Sequence, residues 1–318
     1  MAKAAGVAAS TVSLVMNKKG YVSDATRKKV EAAMEKLNYI PSEVARNLAL
    51  NRTNTIGVIM PSVSHPFFGE VIEEIETALY NYNYKMMLCC TQHKRNGEPT
   101  FVDMLKRRTM DGIIMGAHSI DVSLYANLTQ PVIAFDRYIN DQIPIVHCDH
   151  SLGGKMAAEV FLQHGCQHVV EIVGYQGIRT PAHEFHATAA EQLRNSGVRV
   201  DVAELPWNAF NYQIYSAVAQ KLFAQYSHVD GILGADLSIA ACMHVAAATG
   251  IRVPEELKLL AYDGTAVTRM GSQPITAVRQ PIAELAELAV SKIVKMVNGE
   301  QDNRPWTIAP KMLPGATV

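Results

Sequence analysis

The sequence predicts an α/β protein that carries a small all-α head at its N-terminus. The chain has 318 residues, about twice an ordinary domain, so two or three structural units are expected. From residue 55 onward, short apolar runs alternate with amphipathic stretches, the pattern of parallel sheets covered by helices. Residues 1–55 hold nine Lys/Arg and four acidic side chains, whereas the rest of the chain carries a net charge of −6. The overall charge of −1 is therefore the sum of a basic head and an acidic body. Such a split suits a nucleic-acid-binding head on a sensor or enzyme, and equally a solvated basic face.

Composition narrows the class. With 48% apolar and 19% charged residues the chain reads as packed rather than disordered. No apolar run approaches the ~18 residues that cross a bilayer, and Met1–Val15 lacks the apolar core of a secretory signal. Cys89, Cys90, Cys148, Cys166 and Cys242 are odd in number and scattered, which suggests reduced cytoplasmic thiols rather than disulfides or a zinc site. No cofactor fingerprint, Walker loop or nucleophile elbow occurs. His164, Cys166 and His168 lie close together but lack a fourth ligand at zinc spacing, so no metal is expected.

In the head, Ala2 to Ala5 has high helix propensity and meets a turn at Gly6 and Val7. Residues 9–17 then place Val12, Val15 and Met16 on one helical face, with Ser10, Thr11, Ser13, Leu14 and Asn17 on the other. A further helix over 23–38 has Ser23 as N-cap and Val30, Met34 and Leu37 at i, i+4, i+7 spacing. Helix, glycine turn, polar-faced helix is the order of a helix-turn-helix, whose second helix lies in the DNA major groove. Small hydroxyl and amide side chains suit base edges and phosphates, although a Ser/Thr-rich surface helix shows the same pattern.

In the body, strand-like runs cover 55–60, 85–90, 112–115, 132–135, 169–173, 231–234, 257–261 and 276–278. Helical stretches include 68–80, 153–163, 239–249 and 282–297. Ligands bind beyond the carboxyl ends of strands in such sheets. Those positions hold 61–68, His118, Asp136, Arg137, 175–179, Asp236, Asp263 and Gln280. Carboxylates and an amide bordered by aromatics suit a sugar, and each carboxylate also suits helix capping or a structural ion pair.

The strings AKAAGVAASTVSLVMN at 2–17 and YVSDATR at 21–27 resemble the head of the lactose/galactose repressor family of bacterial transcription factors. YIPSEVARNLA at 39–49 resembles that family's hinge helix, and TNTIGVIMP at 53–61 the start of its effector domain. The likeness continues in order through PFF at 66–68, DGII at 111–114, FDR at 135–137, GGKMAA at 153–158, RVPEEL at 252–257, AYDG at 261–264 and TAVRQP at 276–281. The stretch around His118 and the one after Phe135 resemble sucrose-type members.

The resemblance implies a helix-turn-helix head with hinge over 1–49 and an effector-binding, dimerising domain over 50–318. That domain would hold two Rossmann-like subdomains of the periplasmic-binding-protein-like type, about 55–149 with 281–305 and about 150–280 with 306–318, joined near Asp149, Gln280 and Trp306. It places Ser10, Thr11, Ser13, Leu14, Asn17, Tyr21, Ser23 and Thr26 against palindromic operator DNA, with Leu48 wedged into a minor-groove step. Phe67, Phe68 and Trp207 would wall the effector site, Asp136, Asp263 and Gln280 would grip hydroxyls, and His118, Arg179, Glu184 and Asp236 would border it. Glu184, Ala235 and Gly264 stand where many members carry Arg, Asn and Asp, and Ala8 and Leu14 where many carry Ser and Arg. Family members also extend about half a dozen residues ahead of the position of Met1, so the natural start is expected upstream or the first helix is shortened.

The function expected is a cytoplasmic, homodimeric, non-enzymatic repressor of a carbohydrate operon, released by a small sugar. A sugar-binding module with a non-functional head and a corepressor-activated regulator are the alternatives.

Overall fold

The computed structural model describes residues 1–16, 20–39, 47, 52–91, 97–117, 123–207 and 209–318. Asn17, Leu48 and His118 lie outside the described residues, as does most of the expected hinge. The chain forms two compact units, Met1–Thr53 and Asn54–Val318. The division follows Thr53 rather than residue 49.

In the first unit, α1 (Ala2–Ala5) ends at Gly6, whose φ of 64° is the left-handed conformation that glycine adopts without a Cβ penalty. Helix α2 (Ala9–Met16) follows, then α3 (Asp24–Lys36). Ser23 caps α3 by accepting from the Thr26 amide. Ala5, Val12, Val15, Val30 and Ala33 form a small core, with Met16 and Met34 packed on it. Leu37, expected on the buried face of α3, is 50% exposed, because the helix ends at Lys36 and Leu37 has left its register.

The second unit contains two six-stranded sheets. The first has the order β2 (Lys85–Cys90), β1 (Thr55–Met60), β3 (Gly112–Met115), β4 (Val132–Phe135), β5 (Ile145–Cys148) and β11 (Thr307–Ile308), all parallel. The second runs β7 (Arg199–Glu204), β6 (His168–Val173), β8 (Gly231–Ala235), β9 (Lys258–Asp263), β10 (Thr276–Arg279) and β12 (Lys311–Leu313), with β12 antiparallel.

Helices cover both faces of each sheet. Around the first sheet these include α4 (Pro66–Asn81), α5 (Glu98–Lys106) and α11 (Ile282–Asn298). Around the second they include α6 (His150–Gln163), α7 (His183–Asn195), α8 (Tyr212–Gln225) and α9 (Asp236–Thr249). A short helix, α10 (Val267–Met270), follows β9.

The chain crosses between the sheets after Asp149 and after Gln280, near the expected positions. Its third crossing follows Ile308 rather than Trp306, since Thr307 and Ile308 pair with β5 of the first sheet. The loop before β11 is held by Lys292, a buried lysine whose Nζ lies 3.9 Å from the Trp306 ring centroid and donates to the carbonyls of Asp302 (3.3 Å) and Arg304 (2.7 Å). Helices α6 and α7 approach so closely that a Cβ on Gly154 would lie 2.3 Å from the Phe185 carbonyl oxygen.

Candidate functional site

On the first unit, Ser10, Ser13 and Leu14 form an exposed face of α2 opposite Val12 and Val15, with Leu14 40% exposed and Thr11 half-buried at the edge. Tyr21 is 94% exposed in the turn that precedes α3. Ser23 and Thr26 are engaged with one another, hydroxyl to hydroxyl at 2.9 Å, so their first task is to start α3. This face offers hydroxyl donors and acceptors flanked by apolar carbon, the surface that reads base edges and thymine methyls.

In the second unit the carboxyl ends of both sheets' strands converge on a cavity of about 200 Å³. Strand β4 delivers Asp136, β9 delivers Asp263 and β10 delivers Gln280. Asp136 (φ 50°) and Asp263 (φ 117°) both have positive φ, uncommon for side chains other than glycine and typical of residues held in place at ligand sites. An aromatic cluster forms one wall of the cavity. His65 and Phe68, at the start of α4, lie 5.6 and 5.8 Å from Phe210, which comes from the loop after β7. Trp207 and Tyr175 line the cavity while keeping large exposed surfaces, and Ile172, Ile178 and Leu205 supply an apolar wall.

The polar groups form two networks. His150 Nε2 donates to Asp136 Oδ1 at 2.7 Å, which leaves Nδ1 to accept from the Tyr262 hydroxyl. Asp136 belongs to the first sheet, whereas His150 and Tyr262 pack with the second, so this chain ties the two together. Tyr262 in turn stacks on Phe185 with centroids 3.7 Å apart. Burial pushes the Tyr262 phenol far above its ordinary value, so it stays protonated and donates.

The second network holds Asp263, whose Oδ1 accepts from Gln280 Nε2 at 2.9 Å. Burial raises the Asp263 carboxyl well above the carboxylate range, and the charge of Asp236 adds to this. Asp236 accepts from the amides of Gly264 (3.1 Å) and Thr265 (2.6 Å) and from the Thr265 hydroxyl. Burial nevertheless pushes it up to about 6.

Phe67, Phe68, Asp136, Trp207, Asp263 and Gln280 are thus brought together as expected positions of one cavity. Three others are placed elsewhere. Asp236 is turned onto the 264–265 backbone and fixes the loop that follows Asp263. Arg179 lies 4.7 Å above the Tyr138 ring and accepts, through its carbonyl, from Arg137 Nη1 at 3.3 Å. Glu184 is exposed on the first turn of α7 and does not line the cavity. His183, His186, Phe210, Tyr215 and Tyr262 line it without having been singled out from the sequence, and His65 comes from the 61–68 stretch expected at a strand end.

Among the described residues no cluster of His, Cys, Asp or Glu could hold a metal ion. His168 instead pairs with Asp201 at 2.8 Å, and His164 ends α6 in solvent. Likewise, no described helix is long and apolar enough to cross a membrane.

Residues 1–42 match the family model described as bacterial regulatory proteins, lacI family, and residues 158–318 match a periplasmic binding protein-like domain. A sucrose operon repressor of Streptococcus mutans is 34% identical, with 100% of this chain and 98% of that protein covered. A ribose operon repressor of Halalkalibacterium halodurans is 33% identical, with 93% and 89% covered. The lac repressor dimer bound to operator and the anti-inducer ONPF shares the fold, with a TM-score of 0.86 at 22% identity over 99% of this chain and 97% of that one.

Proposed function

Because the chain belongs to the lacI family of bacterial regulatory proteins, we propose that it is a cytoplasmic homodimeric repressor of a carbohydrate-utilisation operon. The head binds a palindromic operator, and a sugar seated between the two sheets releases it. One observation carries the sugar reading: Asp136, Asp263 and Gln280 converge beside aromatic rings, so hydroxyls meet hydrogen-bonding groups while the C–H faces of a ring meet aromatic side chains such as Phe68, Phe210 and Trp207. Two heads at half-site spacing explain the need for a dimer. The exposed hydroxyl-rich face of α2 supports the DNA-binding part of the reading.

Two measurements test this together. A thermal-shift series with sucrose, D-fructose, D-ribose and cellobiose reports occupancy of the cavity through mass-action stabilisation. Binding to the palindrome that precedes the neighbouring operon is followed against salt, because phosphate contacts make affinity fall steeply as salt rises. A sugar that stabilises the protein is expected to weaken operator binding, and operator to weaken sugar binding by the same factor. Operator affinity equal to that for unrelated duplex would refute the repressor reading.

A further inference from the structure

Glu171 lies in the middle of β6, an interior strand between β7 and β8, and its side chain is 2% exposed. By strand alternation it shares a face with Val169, which packs among Phe161, Phe185 and Leu193. A carboxylate in such surroundings has lost its hydration and needs protein partners in return. Its Oε1 has no hydrogen-bond partner among the described residues, and its Oε2 lies 3.5 Å from Nδ1 of His186.

His186 sits one turn into α7, edge-on to Phe185, and lines the cavity. With Nδ1 facing Glu171, the ring's other nitrogen is the one left for a ligand. Asp136 offers the cavity a partly exposed acceptor, while one Gln280 amide N–H is committed to Asp263. No Lys or Arg lines it among the described residues. Of the two histidines that line the cavity, His186 is the one whose ring faces the Glu171 carboxylate.

We propose that Glu171 and His186 form a buried ion pair beneath the cavity, in which His186 Nε2–H donates to an oxygen of the sugar. His186 is then a further ligand-binding residue, and Glu171 a positioning residue that keeps the imidazole protonated and aligned. The pairing follows from charge balance: a buried carboxylate is tolerated when a cation neutralises it. The same pair gives the cavity a cationic donor. This proposal rests on the reading of the cavity as a sugar site.

The ion pair is tested without any ligand by recording the nitrogen resonances of histidine in the 15N-labelled full chain at pH 7. Both ring nitrogens of His186 are expected to be protonated. A neutral ring with its proton on Nε2 and none on Nδ1 would overturn the pair. Ligand contact is tested by calorimetric titration of sucrose, D-fructose, D-ribose and cellobiose into the wild type and three variants. For the sugar that binds, His186→Gln is expected to lose about tenfold or more in affinity, the loss of a hydrogen bond from a charged donor. Glu171→Gln, which preserves shape, is expected to lose several-fold and to shift the His186 nitrogen resonances toward the neutral ring.

Loss of binding in Asp263→Ala with wild-type affinity in His186→Gln overturns the proposal and leaves the sugar site standing. Failure of all four sugars to bind the wild type removes the sugar site, and with it the ligand role of His186. Should Glu171→Gln fail to fold, His186→Gln at the cavity surface and the wild-type nitrogen shifts still decide the matter.

Discussion

Replacing His150 with Phe isolates the contribution of the Asp136–His150–Tyr262 chain to holding the two sheets' strand ends together. The ring volume and the parallel stack on His147, 5.9 Å between centroids, survive the change, so the two hydrogen bonds are what is lost. The bond to Asp136 has an ionised acceptor, and such bonds contribute about 1.5–3 kcal/mol. Its loss is partly offset, since the Asp136 side chain is 15% exposed and regains water. The Tyr262 hydroxyl is left buried, with the Cys148 thiol beside it as a weak substitute, at a cost of about 1–3 kcal/mol. Additional apolar burial by Phe offsets a further part. The net expectation is a loss of about 2–4 kcal/mol, which for a unit of this size lowers the thermal midpoint by about 4–7 °C. Scanning calorimetry on the full chain reads this directly. A midpoint within about 1 °C of the wild type would refute the reasoning, because it would mean that neither bond carries net stability.

Three further substitutions probe other parts of the fold. Gly154→Ala drives a Cβ against the Phe185 carbonyl and the Ala189 amide, 2.3 and 3.1 Å away, and backbone cannot yield as a side chain can. A loss of about 2–3 kcal/mol is expected in urea unfolding, and an unchanged midpoint would contradict the packing of α6 on α7. Asp236, raised to about 6 by burial, keeps its proton in the folded state where the unfolded chain has lost it. Its stabilising share is complete at low pH and disappears as pH rises through about 6, so Asp236→Asn should flatten stability between pH 4 and 6, and an identical profile would count against the assignment. Ser23→Ala removes the cap of α3 and should cost the head about 1 kcal/mol, seen as faster amide exchange at Thr26; unchanged exchange would show that the hydroxyl adds nothing.

Interior strands such as Thr55–Met60 and Val132–Phe135 were legible because both of their faces are buried and they appear as unbroken apolar runs, whereas interior β5, four residues broken by His147 and only half-buried on one face, was not. Strand β7 escaped notice because it is an edge strand whose residues, Arg-Val-Asp-Val-Ala-Glu, alternate between solvent and sheet. The two-residue β11 is too short to leave a pattern and exists through pairing with β5. At the cavity, the strand-end rule located Asp136, Asp263 and Gln280 correctly in space, yet it placed Asp236 beside them although that side chain turns away to bind the 264–265 backbone. The rule fixes where a Cα lies, not where its carboxylate points. Phe210, His183 and His186 come from loops and helix starts on the crossover side, where no periodicity marks them. Glu171 did leave a trace, as the one acidic residue in the run His168–Val173, and a charge inside an apolar strand is a reason to look for its partner.

Contacts across the cavity determine what kind of ligand can shift its opening. Besides the Asp136–His150 bond, the Glu70 carboxylate of α4 accepts from the Ala266 amide at 2.8 Å, Arg137 reaches the Arg179 carbonyl, and Phe68 meets Phe210 edge to face. Each such hydrogen bond contributes on the order of 1 kcal/mol net, so together they bias the arrangement of the two sheets without locking it. A ligand changes that balance only by binding one arrangement better than another. A molecule held by Asp263 and Gln280 alone touches the second sheet alone and has little such preference. One that also reaches Asp136 spans both sheets, and its binding energy is then spent on their relative placement. Asp136, tied to His150 yet still partly open to solvent, is the carboxylate that a ligand spanning both sheets would have to reach.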